Sequence, residues 1–363
     1  MSTELEALLK EKELDLKILT AALLFVCLTN STAWTQSGTP SSPREIAAYG
    51  GPDRERLLFE GAKREGKLVW YTTLAAVQNK QIAATFEAKY PGVRVEAYRA
   101  GSSALVQRLI NEAQARRHIA DAIETTLPGL LTFRDNQLLL PYASPYLAAF
   151  PEESREKAAG NLVYWTIDRE SYIGFAYNKN LLSAGEVPEN FDGLLKPALR
   201  DKLGLAGDDT GARSIGAMIK VKGEEFVRKL KGQNIKAYPM AGSALTQLVA
   251  SGEVPASPSQ FYSATHVAAK KGAPVVWVPM NINVVGAGGA AVYANAQRPH
   301  AALLFTNFLL SPEGQKLLED LDFGSAGKDY GFRRWYPEKE GTLAQYEQAL
   351  ERWHKLLQEI TFK

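Results

Sequence analysis

Residues 67–109 (KLVWYTTLAAVQNKQIAATFEAKYPGVRVEAYRAGSSALVQRL) constrain the fold more than any other stretch of the chain. LVWY is a short apolar run of β-forming residues and predicts a strand. Thr72 and Thr73 follow as N-cap candidates for a helix over residues 75–90, whose apolar Ile82, Ala83, Phe86 and Tyr90 fall at helical spacing. Pro91-Gly92 stops that helix. Val93, Val95 and Ala97 then alternate as a second strand, and Gly101-Ser102-Ser103 opens a second helix. Two strands that each run into a hydroxyl-bearing helix N-terminus make a βαβ unit with two anion-binding ends. Free N–H groups and the positive dipole terminus point the same way there.

A third strand follows at ADAIETT, residues 120–126, ending in Glu124, Thr125 and Thr126. In an open parallel sheet, ligands sit beyond the carboxyl ends of the strands. The ends at Thr72/Thr73, Ser102/Ser103 and Glu124–Thr126 should therefore border one crevice. Residues 164–177 (YWTIDRESYIGFAY) alternate, are rich in aromatics, and predict a long strand connecting two lobes. A fourth polar strand-to-helix turn, GDDTGARS at 207–214, brings Thr210 and Arg213. A guanidinium near a helix N-terminus suits a carboxylate or phosphate. After GEVPA, residues 259–262 (SQFY) are expected to start a helix on which Tyr262 and His266 share a face. Residues 281–292, Gly-rich, read as an extended return crossing. A last amphipathic helix carries Leu343, Tyr346, Leu350, Trp353, Leu357 and Ile360.

Composition excludes several functions. The 363 residues, 45% hydrophobic and 23% charged, are enough for two domains, and a formal charge of +2 gives no footprint for nucleic acid. Residues 18–28 (ILTAALLFVCL) follow Lys17 and are too short to span a bilayer. They fit the apolar region of a signal peptide, with cleavage expected after Ala33 and an uncleaved anchor as the alternative. The single cysteine, Cys27, lies inside that segment, so the mature chain has no thiol nucleophile and no disulfide. The four histidines (His118, His266, His300 and His354) have no metal-ligand spacing. GAGG at 286–289 lacks the lysine of a phosphate-binding loop.

KLVWYTT, FEAKYPGVRVEAYRAGSSALVQRL, ADAIETT, GEVPA and FLLSPEGQKLL, in this order and spacing, resemble the extracellular solute-binding proteins of ABC importers. The branch they most resemble contains the periplasmic ferric-ion-binding proteins. The resemblance implies an α/β, two-lobe periplasmic-binding-protein fold of type II. Each lobe is a mixed sheet flanked by helices, two hinge strands join them, and the lobes close on a ligand. The expected organisation is a signal peptide at 1–33 and a linker and entry helix at 34–66. Lobe one is residues 67–165 with 283–322, and lobe two is 166–282 with 323–363.

The function implied is capture of a small anionic solute, carboxylated or phosphorylated, or of ferric ion, and delivery to an inner-membrane permease. The protein is expected to be periplasmic and monomeric, without enzymatic activity or resident cofactor. A sensor subunit for a signalling receptor is the first alternative, and a secreted enzyme on the same fold the second. The candidate ligand-binding residues are Thr72, Thr73, Ser102, Ser103, Glu124, Thr125, Thr210, Arg213, Tyr262 and Asn283. Only Tyr262 is a candidate metal ligand. The ferric branch places a histidine in the first strand-to-helix turn, absent here, and a tyrosine pair that is reduced here to Tyr262-Ser263. Hard ferric ion wants several anionic oxygens, so an organic anion is favoured.

Overall fold

A computed structural model describes residues 42–362. The signal-peptide reading of residues 1–33 lies outside the described residues. The chain enters through two helices, α1 (Pro43–Ala48) and α2 (Arg54–Glu65). Ser42 and Glu45 cap α1 reciprocally, and Gly66, at a φ of 75°, ends α2. As an entry helix with the single apolar stripe Leu57, Leu58 and Ala62, α2 would be expected to lie on the surface. Its Arg54, Leu58, Gly61 and Ala62 are buried instead, and Gly61 lies under the His300 ring.

The βαβ core follows as expected: β1 (Lys67–Thr72), α3 (Ala76–Lys89), β2 (Arg94–Arg99), α4 (Ser102–Gln114), β3 (Ala122–Thr126) and α5 (Leu127–Asp135). After β4 (Leu139–Leu140) and β5 (Arg155–Lys157) comes the long strand β6 (Val163–Asn178). Then come β7 (Gly204–Ala206), α6 (Asp209–Lys222), α7 (Glu224–Lys229), β8 (Ile235–Tyr238), α8 (Gly242–Ser251), β9 (Ala256–Phe261), α9 (Tyr262–Lys270) and β10 (Val275–Val278). A second long strand, β11 (Asn283–Tyr293), returns. The chain finishes with α10 (Pro299–Leu310), α11 (Pro312–Asp320), β12 (Arg334–Trp335), α12 (Leu343–Ile360) and β13 (Thr361–Phe362).

The main sheet runs β10-β6-β11-β3-β1-β2, with β5 and β9 also on β6, and β4 and β12 also on β11. β1 is parallel to both β2 and β3, whereas β11 is antiparallel to β3 and β6. A small sheet, β13-β8-β7, is parallel throughout. One apolar cluster gathers Trp70, Phe86, Phe305 and Phe308 with Ile167, Tyr172, Val285 and Ala287. A second gathers Phe175, Leu205, Ile215, Met218 and Leu357 with Ile173 and Val284. Thus β6 passes from the first cluster to the second between Tyr172 and Ile173, and β11 between Val285 and Val284. A third, smaller cluster of Leu245, Val249, Val254 and Ala268 lies under α8 and α9.

Pairing of β6 with β11 slips by one residue, from Ile167 opposite Gly289 to Arg169 opposite Gly288, so Asp168 is the extra residue of a bulge. One expectation fails nearby. Ser259 and Gln260 belong to strand β9, not to the helix, which starts at Tyr262. Pro258 makes ASPSQF a poor-looking strand, but it sits where the β9–β6 register is irregular and the ladder needs no N–H from it.

Candidate functional site

The first three strand ends converge as their spacing implies. Parallel pairing sets Thr72, the last residue of β1, against Glu124 of β3. Glu124 is fully buried, and its Oε2 accepts from the Thr72 hydroxyl at 2.8 Å, the Thr73 amide at 3.1 Å and the Thr73 hydroxyl at 3.2 Å. Its Oε1 accepts from Arg169 Nε at 2.8 Å. Arg169 also donates from Nη2 to the Thr73 hydroxyl at 3.1 Å. The donors at this end, read from sequence as free for a ligand anion, are therefore met by the chain's own carboxylate. At the neighbouring end, the Ser102 hydroxyl stands 3.2 Å from that of Thr125 and 2.8 Å from that of Thr126. Ser103 is exposed on the first turn of α4.

Arg169 is the residue that sequence reasoning missed. The signal was present: Asp168-Arg169-Glu170 are three successive charged residues in an otherwise apolar strand, a pattern tolerated in a core only when the charges find partners.

The remaining candidates divide differently. Thr210 is buried and donates its amide to Asp208 Oδ1 at 2.9 Å, so the N-terminus of α6 is also capped by an internal carboxylate. Arg213 is half-buried. It pairs with the buried Glu338 and donates to the Val285 carbonyl at 3.2 Å. Its charge is spent on the C-terminal segment rather than held free for a ligand. Asn283 is fully buried, accepting from the Met280 amide at 3.1 Å and donating to the Arg333 carbonyl at 3.3 Å. Tyr262 begins α9 and turns into an aromatic cluster. Its ring stacks on His266 at 5.4 Å and meets the edges of Trp277 at 5.4 Å and Tyr172 at 6.4 Å.

A cavity of about 580 Å³ lies between α3 on one side and α8 and α9 on the other. Val77 and Gln78 of the first turn of α3 and Ser263 and Ala264 of the first turn of α9 line it, with Phe323 at one end; Tyr262 does not. The Arg169 guanidinium carbon lies 5.2 Å from the centre of the Phe323 ring, so the cavity wall rests on the Glu124 cluster. Gly324 explains how Phe323 is held there: it exchanges both backbone hydrogen bonds with Glu170 of β6, one residue beyond Arg169. No side chain caps α9, whose N-cap is Phe261, and at α3 only Gln78 folds back onto the Ala75 amide. The first turns of α3 and α9 thus border the same space, together with the flanks of both helices at Gln81, Val267 and Lys271 and the carboxylates Asp320 and Asp322; the free N–H groups of a helix first turn are what an oxyanion would use there. Among the described residues, no group of three or more His, Cys, Asp or Glu is placed to hold a metal ion.

Residues 72–316 match the sequence profile of a family described as bacterial extracellular solute-binding protein. The chain belongs to that family. A Haemophilus influenzae relative of this solute-binding protein, described only as an uncharacterized protein, is 25% identical over 268 residues, covering 70% of this chain and 76% of the relative. Among solved structures, iron-bound HitA from Pseudomonas aeruginosa is 21% identical with a TM-score of 0.61, over 81% of this chain and 99% of HitA. The periplasmic binding protein AfuA from Actinobacillus pleuropneumoniae, with fructose-6-phosphate bound, is 21% identical with a TM-score of 0.60, over 81% of this chain and 99% of AfuA. These likenesses establish the two-lobe periplasmic-binding-protein fold.

Proposed function

We propose that this solute-binding protein is the capture component of an ABC importer and takes a small organic anion, carboxylated or phosphorylated, in the cavity between α3 and α9. The observation that carries this reading is the pair of helix first turns, Val77-Gln78 and Ser263-Ala264, facing one cavity from elements packed on different apolar clusters. A ligand oxygen there takes the place of water on unpaired N–H groups, and closing the lobes excludes the remaining water. The lobe boundaries expected near residues 165/166 and 282/283 fall a few residues on, where the apolar clusters meet: between Tyr172 and Ile173 on β6 and between Val284 and Val285 on β11. The protein works in the periplasm as a monomer, after removal of residues 1–33, and hands its cargo to an inner-membrane permease. It binds and releases its cargo without chemistry.

Ferric ion is disfavoured as cargo. Tyr262 is the one phenol at the expected position, and it packs against His266, Trp277 and Tyr172 instead of lining the cavity. Mass spectrometry of what co-purifies, with a metal scan of the same sample, tests this assignment. An organic acid or phosphate ester in a colourless preparation is the expected result. A coloured preparation holding stoichiometric iron overturns it. Small-angle scattering with the co-purifying compound should show compaction at saturation, and an unchanged radius of gyration removes the closure step.

A further inference from the structure

Strand β6 carries an ionisable group that the proposed site does not use. Asp168 is fully buried, and neither carboxylate oxygen has a hydrogen-bond partner among the described residues. It is the extra residue of the β6–β11 bulge, and β6 enters the second apolar cluster only five residues later, at Ile173. The Asp168 backbone is held: α11 presents neutral Gln315, whose Nε2 donates to the Asp168 carbonyl at 2.8 Å. The charged groups that bear on the carboxyl are Glu124 from β3 and Arg169 from its own strand. Tyr142, from the turn after β4, is kept neutral by burial. Arg169 is already committed to Glu124 and Thr73.

Burial first, then the adjacent Glu124, push Asp168 up to about 7, against smaller opposing pulls from the Arg169 charge and from the nearby backbone amides of Asp168 and Arg169. Ionised, this carboxylate needs water, and water reaches it only if the bulge opens. A bulge is also where a strand bends most readily.

We propose that Asp168 is a proton-operated latch on β6, within the first apolar cluster and five residues before the strand crosses to the second: the protonated form keeps the β6 bulge dry and packed, and loss of the proton opens it. This inference rests on the reading of β6 as a strand that bends between two lobes. Its consequence is that the packed arrangement around Arg169, Glu124 and Thr73, and with it the cavity wall at Phe323, is favoured at the acid side of neutrality.

The test compares the full chain with Asp168→Asn at about pH 6 and about pH 8. Asn keeps the shape of the protonated acid, so folding is retained. For one proton with a midpoint near 7, opening should rise by about tenfold across that interval. Hydrogen exchange of amides in β6, corrected for intrinsic pH dependence, reads this directly: the wild-type rates rise by that factor and those of Asp168→Asn stay level. Infrared difference spectra over the same interval should lose one protonated carboxyl band in the wild type and none in the variant. Equal exchange responses in the two proteins overturn the latch, as does the absence of that band. The closure reading is judged apart from this. If band and exchange respond as expected while scattering shows no ligand-dependent compaction, the latch stands and domain closure does not.

Discussion

Two arginine–glutamate pairs lie along the same face of β11, and they do different work. Arg169–Glu124 sits beside Gly288, and Arg213–Glu338 beside Gly286. Each joins a half-buried or buried guanidinium to a buried carboxylate from a distant part of the chain. Glu124 collects three further bonds from Thr72 and Thr73 and supports the cavity through Arg169 and Phe323. Glu338 holds Arg213 with Tyr346 beside them, fastening a short C-terminal turn to α6. An arginine at a helix N-terminus looked like the ligand clamp, and an arginine in mid-strand did not. The partner supplied by the fold reverses that order.

Breaking the pairs should give the largest effects. Removing one member of a buried ion pair leaves the other charge stranded, at a cost of roughly 3–5 kcal/mol. Glu124→Ala should reach that range in urea unfolding, because it strands Arg169 and removes the carboxylate that accepts from the Thr72 and Thr73 hydroxyls. It should also abolish binding of the co-purifying compound in calorimetric titration. Glu338→Ala should lose comparable stability, yet the folded fraction should bind with wild-type affinity. An affinity loss in Glu338→Ala as large as that in Glu124→Ala would put Arg213 back in the ligand site.

Glycine substitutions on β11 sharpen the contrast at smaller magnitude. A Cβ at position 288 would lie 2.6 Å from both Arg169 Cζ and Glu124 Oε1. At position 286 the nearest atom, the Ser171 carbonyl oxygen, would be 3.6 Å away, an ordinary contact. Gly288→Ala should therefore cost about 1–3 kcal/mol and weaken binding by displacing Arg169. Gly286→Ala should stay within about 0.5 kcal/mol of wild type. Equal melting temperatures for the two variants would mean that the Arg169 pair yields freely and does not brace the cavity.

The local rules carried the sequence reading far. Strand ends and helix caps depend on neighbours in the chain, so Thr72, Thr73, Ser102 and Thr125 were found together. The aromatic alternation placed β6 within a residue of its true ends. What failed depends on distant chain. Arg169 meets Glu124 across 45 positions, and Arg213 meets Glu338 across 125. Nothing in either local window announces the partner. Ser259 and Gln260 fall in β9 because that strand pairs with β6 about 85 positions earlier, through an irregular register that accommodates Pro258 and that no local window shows. Tyr262 was placed correctly at a helix start, but the direction of its ring is set by Trp277 and Tyr172, which the sequence does not bring to it.

The smallest expected effect is that of Tyr262→Phe, and it is informative for being small. The ring is stacked on His266 and edged by Trp277 and Tyr172, contacts that Phe retains. The hydroxyl makes no hydrogen bond among the described residues, so its removal strands no partner. Unfolding free energy should therefore move by less than about 0.5 kcal/mol. Affinity for an organic anion should fall by at most about 0.5–1.5 kcal/mol, the worth of one neutral hydrogen bond, even if the ring swings toward the cavity on closure. For ferric cargo the expectation inverts. A metal would have to hold the phenol ionised far below its usual value of about 10, and Phe could not replace it. An iron complex whose visible band vanishes in Tyr262→Phe would thus show that the ring leaves its aromatic neighbours to bind cargo. Unchanged binding by a colourless variant leaves Ser263 and Ala264, not Tyr262, as the part of α9 that the ligand meets.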